Sequence, residues 1–99
     1  MVIVAGVVVL KPGTLEELKP DMLRMIAASR GGGGGGGDSY GVDVAEPTVV
    51  RVYEEWESRA HLDAHVGTDH LQAWRRRLAE IGIVRRDITT WDATSPVPM

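Results

Sequence analysis

Apolar residues run unbroken from Val2 to Leu10 and stop at Lys11-Pro12-Gly13. The run is short and rich in β-branched side chains, which predicts a strand followed by a turn. A half-buried strand would alternate apolar with polar; this one does not, so both of its faces are expected to be covered. The period then changes. Leu15, Leu18, Met22, Met25 and Ile26 recur at helical spacing through Arg30, behind a capping-box pattern at Thr14-Leu15-Glu16-Glu17. Pro20 lies inside this stretch and predicts a kink or a restart, because it lacks an N–H and crowds the preceding turn.

Gly31 to Gly37 interrupts the pattern. Glycines carry no side chains to pack and lose much entropy on ordering, so the run reads as a loop, or as a stretch without its natural side chains. A phosphate-cradling loop would need a helix N-terminus and a Lys-Ser/Thr after the glycines, whereas Asp38-Ser39-Tyr40 leads into a strand. Strands are predicted over Ser39 to Ala45 and Thr48 to Glu57, joined through Glu46-Pro47 as a hairpin. In the second, Val50, Val52, Glu54 and Trp56 share one face, and Val49, Arg51, Tyr53 and Glu55 share the other. Ser58 caps a short helix from Arg59 to Val66 with Leu62 and Val66 inward. Thr68 caps the next, where Leu71, Trp74, Leu78 and Ile81 form one stripe and Arg75-Arg76-Arg77 lie mostly away from it. Gly82 ends that helix. A final strand runs from Ile83 to Trp91, and residues 95–99 form a tail.

The resulting order, β-α-β-β-α-β with the second helix as a pair, is that of an α+β ferredoxin-like domain over residues 1–94. Its helices cover one face of an antiparallel sheet. A first strand apolar on both sides then predicts a homodimer through the other face, with Arg51 and Glu55 setting register. Composition sharpens this reading. Ninety-nine residues suffice for one core, and covering a sheet face with a second copy is a natural gain for so small a domain. The net charge of −3 gives no field that would gather nucleic acid. No cysteine is present, which removes thiolate chemistry. The Val2–Leu10 run has no basic stretch before it and is far too short to span a bilayer, so a soluble, cytoplasmic protein without membrane attachment is expected.

Candidate chemistry is confined to a few residues. His61 and His65 lie one turn apart with Asp69 following, a spacing that a metal could use, but a solvated or cap-proximal pair is the better reading and no metal is assigned. His65 and His70 each flank an apolar stripe, and imidazole titrates near neutrality. They are the candidate catalytic bases, or else they satisfy backbone groups at the corner between two helices. Trp56 and Trp74 point between sheet and helices with Met22 and Met25. These four are either ordinary core or the walls of a flat apolar pocket for an aromatic ligand. Tyr53 falls on the opposite face. The arginine triplet reads as a solvated helix face.

Val8-Val9-Leu10-Lys11-Pro12-Gly13, Ser39-Tyr40-Gly41-Val42, Val52-Tyr53-Glu54-Glu55-Trp56-Glu57-Ser58, Ala64-His65 and Asp69-His70-Leu71 together resemble the antibiotic biosynthesis monooxygenase domain of the dimeric α+β barrel superfamily. The resemblance implies a ferredoxin-like dimer with a pocket in each subunit. Some members oxidise phenols or quinols with molecular oxygen and without metal or flavin. Trp56 matches the pocket tryptophan of the quinone-forming members. Their pocket asparagine falls at Val52 and a helix tyrosine at Leu62, so two polar positions are replaced, and their arginine falls near Arg76. Haem-degrading relatives need an asparagine and a histidine where this chain has Gly6 and Arg75, which disfavours that activity. The expected function is a cofactor-independent monooxygenase acting on a small phenolic or quinol substrate. His65 or His70 would be the base, with Trp56, Trp74, Val52, Leu62, Met22 and Met25 around the substrate. The alternatives are a dimeric module that only binds a small apolar ligand, and an isomerase or lyase on the same scaffold.

Overall fold

The computed structural model describes residues 1–31 and 35–99. The elements follow as β1 (Val2–Leu10), α1 (Leu15–Arg30), β2 (Gly35–Val42), β3 (Val49–Trp56), α2 (Arg59–Val66), α3 (Asp69–Ile81) and β4 (Ile83–Asp92). The strands form one sheet in the order β2-β3-β1-β4, and every neighbouring pair is antiparallel. This is the expected ferredoxin-like α+β arrangement, with α2 and α3 in place of a single second helix. No described helix is long and apolar enough to cross a membrane.

β1 lies in the middle of the sheet, which is why its sequence does not alternate. Val2, Val4, Val8 and Leu10 are buried beneath the helices, while Ile3, Ala5, Val7 and Val9 face the other way and are half-buried in the single chain. At Gly6 a side chain has no room: a Cβ would stand 2.1 Å from the Asp87 carbonyl oxygen on β4. The main core joins Val8, Leu10, Val50 and Val52 of the sheet to Leu18, Met22 and Met25 of α1 and Leu71 and Trp74 of α3. A smaller cluster joins Val2, Val4 and Trp56 to Leu62 of α2. Val66 and Ile88 pack against both.

Four local expectations need correction, one of them at Thr68, which stands at the N-cap of α3 but whose side chain caps none of its N–H groups. The capping box at Thr14 does not form: Thr14 Oγ1 donates to the Lys11 carbonyl at 2.8 Å and caps no helical N–H. Glu17, its intended partner, reaches across to Arg77 at 3.6 Å. Of the kink or restart expected at Pro20, the restart does not occur, since α1 is continuous around it. Its side is exposed, so the carbonyl that loses a partner can be hydrated. Finally, β2 begins at Gly35 and not at Ser39, with Gly35 paired to Trp56 and Gly37 to Glu55. Ladder pairing uses backbone groups alone, so glycines can supply it. The loop expected within Gly31 to Gly37 falls partly on residues 32–34, outside the described residues.

Candidate functional site

The β3 alternation that buries Val50, Val52 and Trp56 also buries Glu54, which is 7% exposed. Glu54 and Trp56 share one face two residues apart. The indole Nε1–H of Trp56 donates to Glu54 Oε1 at 2.8 Å. α2 supplies the next layer. Ser58 accepts from the His61 N–H at 3.2 Å, starting the helix as expected, and the helical repeat turns Leu62 and His65 inward. The His65 ring stacks on Trp56 with centroids 4.5 Å apart and planes inclined by 30°. Its Nε2 stands 4.0 Å from Glu54 Oε1, too far for a direct hydrogen bond.

Burial sets the charge states here. It pushes the His65 pKa below the ordinary 6.5, with the Asp38 carboxylate pulling the other way and His70 and Arg75 adding to the fall, so the imidazole is neutral at pH 7. Burial pushes Glu54 upward, opposed by the Trp56 hydrogen bond and reinforced by Asp38. The 4.0 Å approach is therefore not an ion pair at neutral pH, since the imidazole carries no charge. Tyr40 on β2 meets Trp74 edge-on, with centroids at 6.4 Å and planes at 70°. Burial and the nearby Glu54 and Asp38 carboxyls raise its pKa, which holds its phenol protonated. Asp38 is itself buried, and its Oδ2 has no hydrogen-bond partner among the described residues.

These groups surround a cavity of about 190 Å³ between the sheet and the α2–α3 pair. Val4, Val8, Val52 and Ile88 form its floor, and Leu62, Val66, Leu71, Trp74 and Leu78 its roof. Its polar lining is Tyr40, Glu54, His65, Arg75, Arg86 and Thr90. A cavity of roughly 150 Å³ accepts benzene, so this one is of single-ring size.

The expected site residues divide. His65, Trp74, Val52 and Leu62 line the cavity. Trp56 touches Glu54 and His65 without lining it. Met22 and Met25 do not converge there: both belong to the main core, and Met25 lines a separate depression between α1 and α3 together with His70. His70 occupies the helix-helix corner. Thr68 Oγ1 donates to the His65 carbonyl at 2.6 Å and lies 3.2 Å from His70 Nε2, so His70 donates at that nitrogen. Its contact is with the Thr68 side chain rather than with the backbone groups weighed for it. His61 engages Ser58 at 2.7 Å and Glu57 at 3.6 Å. Among the described residues no group of three or more His, Cys, Asp or Glu is placed to hold a metal ion.

The arginine triplet is not one solvated face. Arg77 ties α3 to α1 through Asp21 at 3.0 Å and Glu17 at 3.6 Å. Arg76 is exposed, and Arg75 lines the cavity. Glu54, Tyr40, Arg75 and Arg86 were not among the expected site residues. Glu54 had a signal, as the single charge on an otherwise apolar strand face.

Residues 1–77 match the family described as antibiotic biosynthesis monooxygenase, and the chain belongs to that family. No curated protein matches it in sequence. Among solved structures, a candidate antibiotic biosynthesis monooxygenase from Deinococcus radiodurans superposes with a TM-score of 0.92 at 17% identity, covering 100% of this chain and 98% of that one. Another from Nitrosomonas europaea gives 0.87 at 19% identity, covering 96% and 100%. A conserved protein from Methanosarcina mazei Go1 gives 0.86 at 19%, covering 94% and 92%. At these identities the likeness speaks to the fold.

Proposed function

We propose that the protein is a monooxygenase that oxidises a small phenol or quinol with molecular oxygen. The observation that carries this reading is the neutral, buried His65 imidazole opening onto a ring-sized apolar cavity. A neutral imidazole is a base, and a phenol that loses its proton to it becomes electron-rich enough to reduce oxygen directly, with no cofactor required. The phenolate passes one electron to oxygen, giving a phenoxyl radical and superoxide. These combine to form a carbon–oxygen bond at a ring carbon that bears hydrogen, and the imidazolium returns its proton to the peroxide. Loss of the ring proton to His65 then expels hydroxide as the O–O bond breaks, and that hydroxide leaves as water. One oxygen atom stays in the quinone and the other becomes water, so no external reductant is consumed. The Tyr40 hydroxyl, held protonated, is the donor available to an oxygen anion, and the apolar walls keep bulk water from the radical pair.

The same reading includes a homodimer. Ile3, Ala5, Val7 and Val9 form an apolar strip on the face without helices, beside Tyr53 and Trp91, which are 43% and 51% exposed.

Oxygen uptake with a panel of hydroquinones, after chelation of trace metals, tests the chemistry. The expected result is one oxygen consumed per substrate, a loss of about 100-fold or more in His65→Ala, and near-normal turnover in His70→Ala. Undiminished turnover in His65→Ala removes the mechanism. Binding of the same compounds without oxygen uptake would make the protein a ligand-binding module.

A further inference from the structure

Arg75 and Arg86 line the cavity, and they also line an outer depression of about 420 Å³ with Leu78, Gly82 and Ile83. They therefore stand where the cavity meets the surface. Among the described residues, the chain's other cavity-facing charges lie deeper, whereas these two side chains are exposed and make no ion pair. Arg77, two positions from Arg75, is by contrast bound to carboxylates of α1.

The sheet register sets the Arg86 backbone apart from that of Glu54, while both arginine charges still act on Glu54 and that of Arg75 acts on His65. Glu54 shares a row with Val4 and Thr90, while Arg86 shares one with Val8. That is four residues along β1 and two strands across. At about 3.3 Å per residue and 4.8 Å per strand, the backbones are roughly 16 Å apart. Both side chains line the same cavity, whose volume is that of a single ring. One end of the cavity holds a neutral imidazole and a carboxyl, and the other holds two guanidinium groups without counter-ions.

We infer that the cavity takes a single-ring phenol bearing an anionic substituent, with the anion held between Arg75 and Arg86 and the phenolic end turned to His65 and Glu54. A planar carboxylate suits this end, because guanidinium groups present paired N–H donors that match its two oxygens. The inference deepens the proposed oxidation and rests on it only for the identity of the phenolic group. The need for an anion is a property of binding.

The test is equilibrium binding without oxygen, by titration calorimetry under nitrogen, with 4-hydroxybenzoate and its neutral isostere 4-hydroxybenzamide as probes. The carboxylate should bind about tenfold tighter, the solvent-exposed setting of the arginines keeping the ratio near the low end for charge-assisted pairs. That preference should shrink as ionic strength rises from about 0.01 M to 1 M, which shortens the screening length from roughly 30 to 3 Å. In Arg75→Gln/Arg86→Gln it should fall below about threefold. Equal affinity for the two probes, or an undiminished preference in the double variant, overturns the inference. Both side chains are exposed, so the variant should keep its fold, checked by circular dichroism; if it does not, each single variant should still lower the preference. Preferential carboxylate binding without oxygen uptake would sink the oxidation while leaving the anion site. Oxygen uptake with no preference would do the reverse.

Discussion

Replacing Trp56 with phenylalanine separates the two things its side chain does. Phenylalanine keeps an aromatic face for His65, whose ring now stacks at 4.5 Å, but it removes the N–H that donates to Glu54 at 2.8 Å. Glu54 would then be a buried carboxyl without that partner. A hydrogen bond to a neutral acceptor contributes about 0.5–1.5 kcal/mol, and one to a charged acceptor about 1.5–3 kcal/mol. The part lost through poorer packing is the same at every pH, so the hydrogen-bond part can be read from the pH dependence. Glu54 has a folded-state pKa raised above its ordinary 4.5, and the Trp56 bond is what opposes the rise. Such a group contributes stability below its unfolded pKa and loses it as pH rises through the folded one. Removing the bond raises the folded pKa further, so the variant should fall further behind the parent as pH climbs through the parent's folded-state value, which lies above 4.5. We expect a loss of about 1–2 kcal/mol at pH 4 and about 1 kcal/mol more at pH 8. With a urea slope of about 1–3 kcal/mol per molar, the midpoint at pH 8 should drop by roughly 1 M or more. The measurement is urea unfolding followed by far-ultraviolet circular dichroism. Chain concentration must be fixed, because self-association would add to apparent stability. A loss equal at both pH values would mean that the indole does not serve an ionisable carboxyl, and Glu54 would cease to be part of the site.

His65 should give an acid limb in the pH–rate profile below the ordinary imidazole range, since its pKa is lowered and the base must be unprotonated; a limb at or above 6.5 would contradict the burial argument. Leu18→Ala, at a side chain fully buried beneath the sheet, should cost about 2–5 kcal/mol in the same unfolding assay, and a cost under about 1 kcal/mol would mean that α1 does not pack as described. Val7→Asp, on the uncovered face of β1, should leave the fold intact but shift sedimentation toward the monomer, and an unchanged sedimentation profile would remove that face as the contact.

Most of the architecture was legible because it follows from periodicity. The unbroken Val2–Leu10 run identified the first strand and marked it as one without a polar face, and Leu71, Trp74 and Leu78 identified the inner face of α3. Helix ends were less legible. The Thr14 pattern was present, yet the hydroxyl found the Lys11 carbonyl instead, a local choice that sequence does not encode. For the site, His65 and His70 were equivalent in sequence because each borders an apolar stripe. Only the packing of α2 against Trp56 and the Thr68 contact tell them apart. Glu54 and Arg75 were readable but were averaged away. Glu54 interrupts the apolar face of β3, and Arg75 stands four residues after Leu71 and three before Leu78, which makes it a neighbour of both. Arg86 had no such signal, since β4 is mostly exposed and alternates weakly.

The division of the interior into two clusters bridged by Val66 and Ile88 bears on how the molecule breathes. α2 has eight residues, too few to be helical alone, and it is anchored to the smaller cluster chiefly through Leu62. Lifting it would leave the α1–α3 layer and the ladder intact, so it forms the least costly unit of partial unfolding. His65 rides on that unit. Amide protons of residues 62–67 should exchange faster than those of α1, and a bound ring should slow them most. On the proposed chemistry the base would ride on the least anchored helix of the fold, and changes that stiffen α2 would then trade turnover for durability.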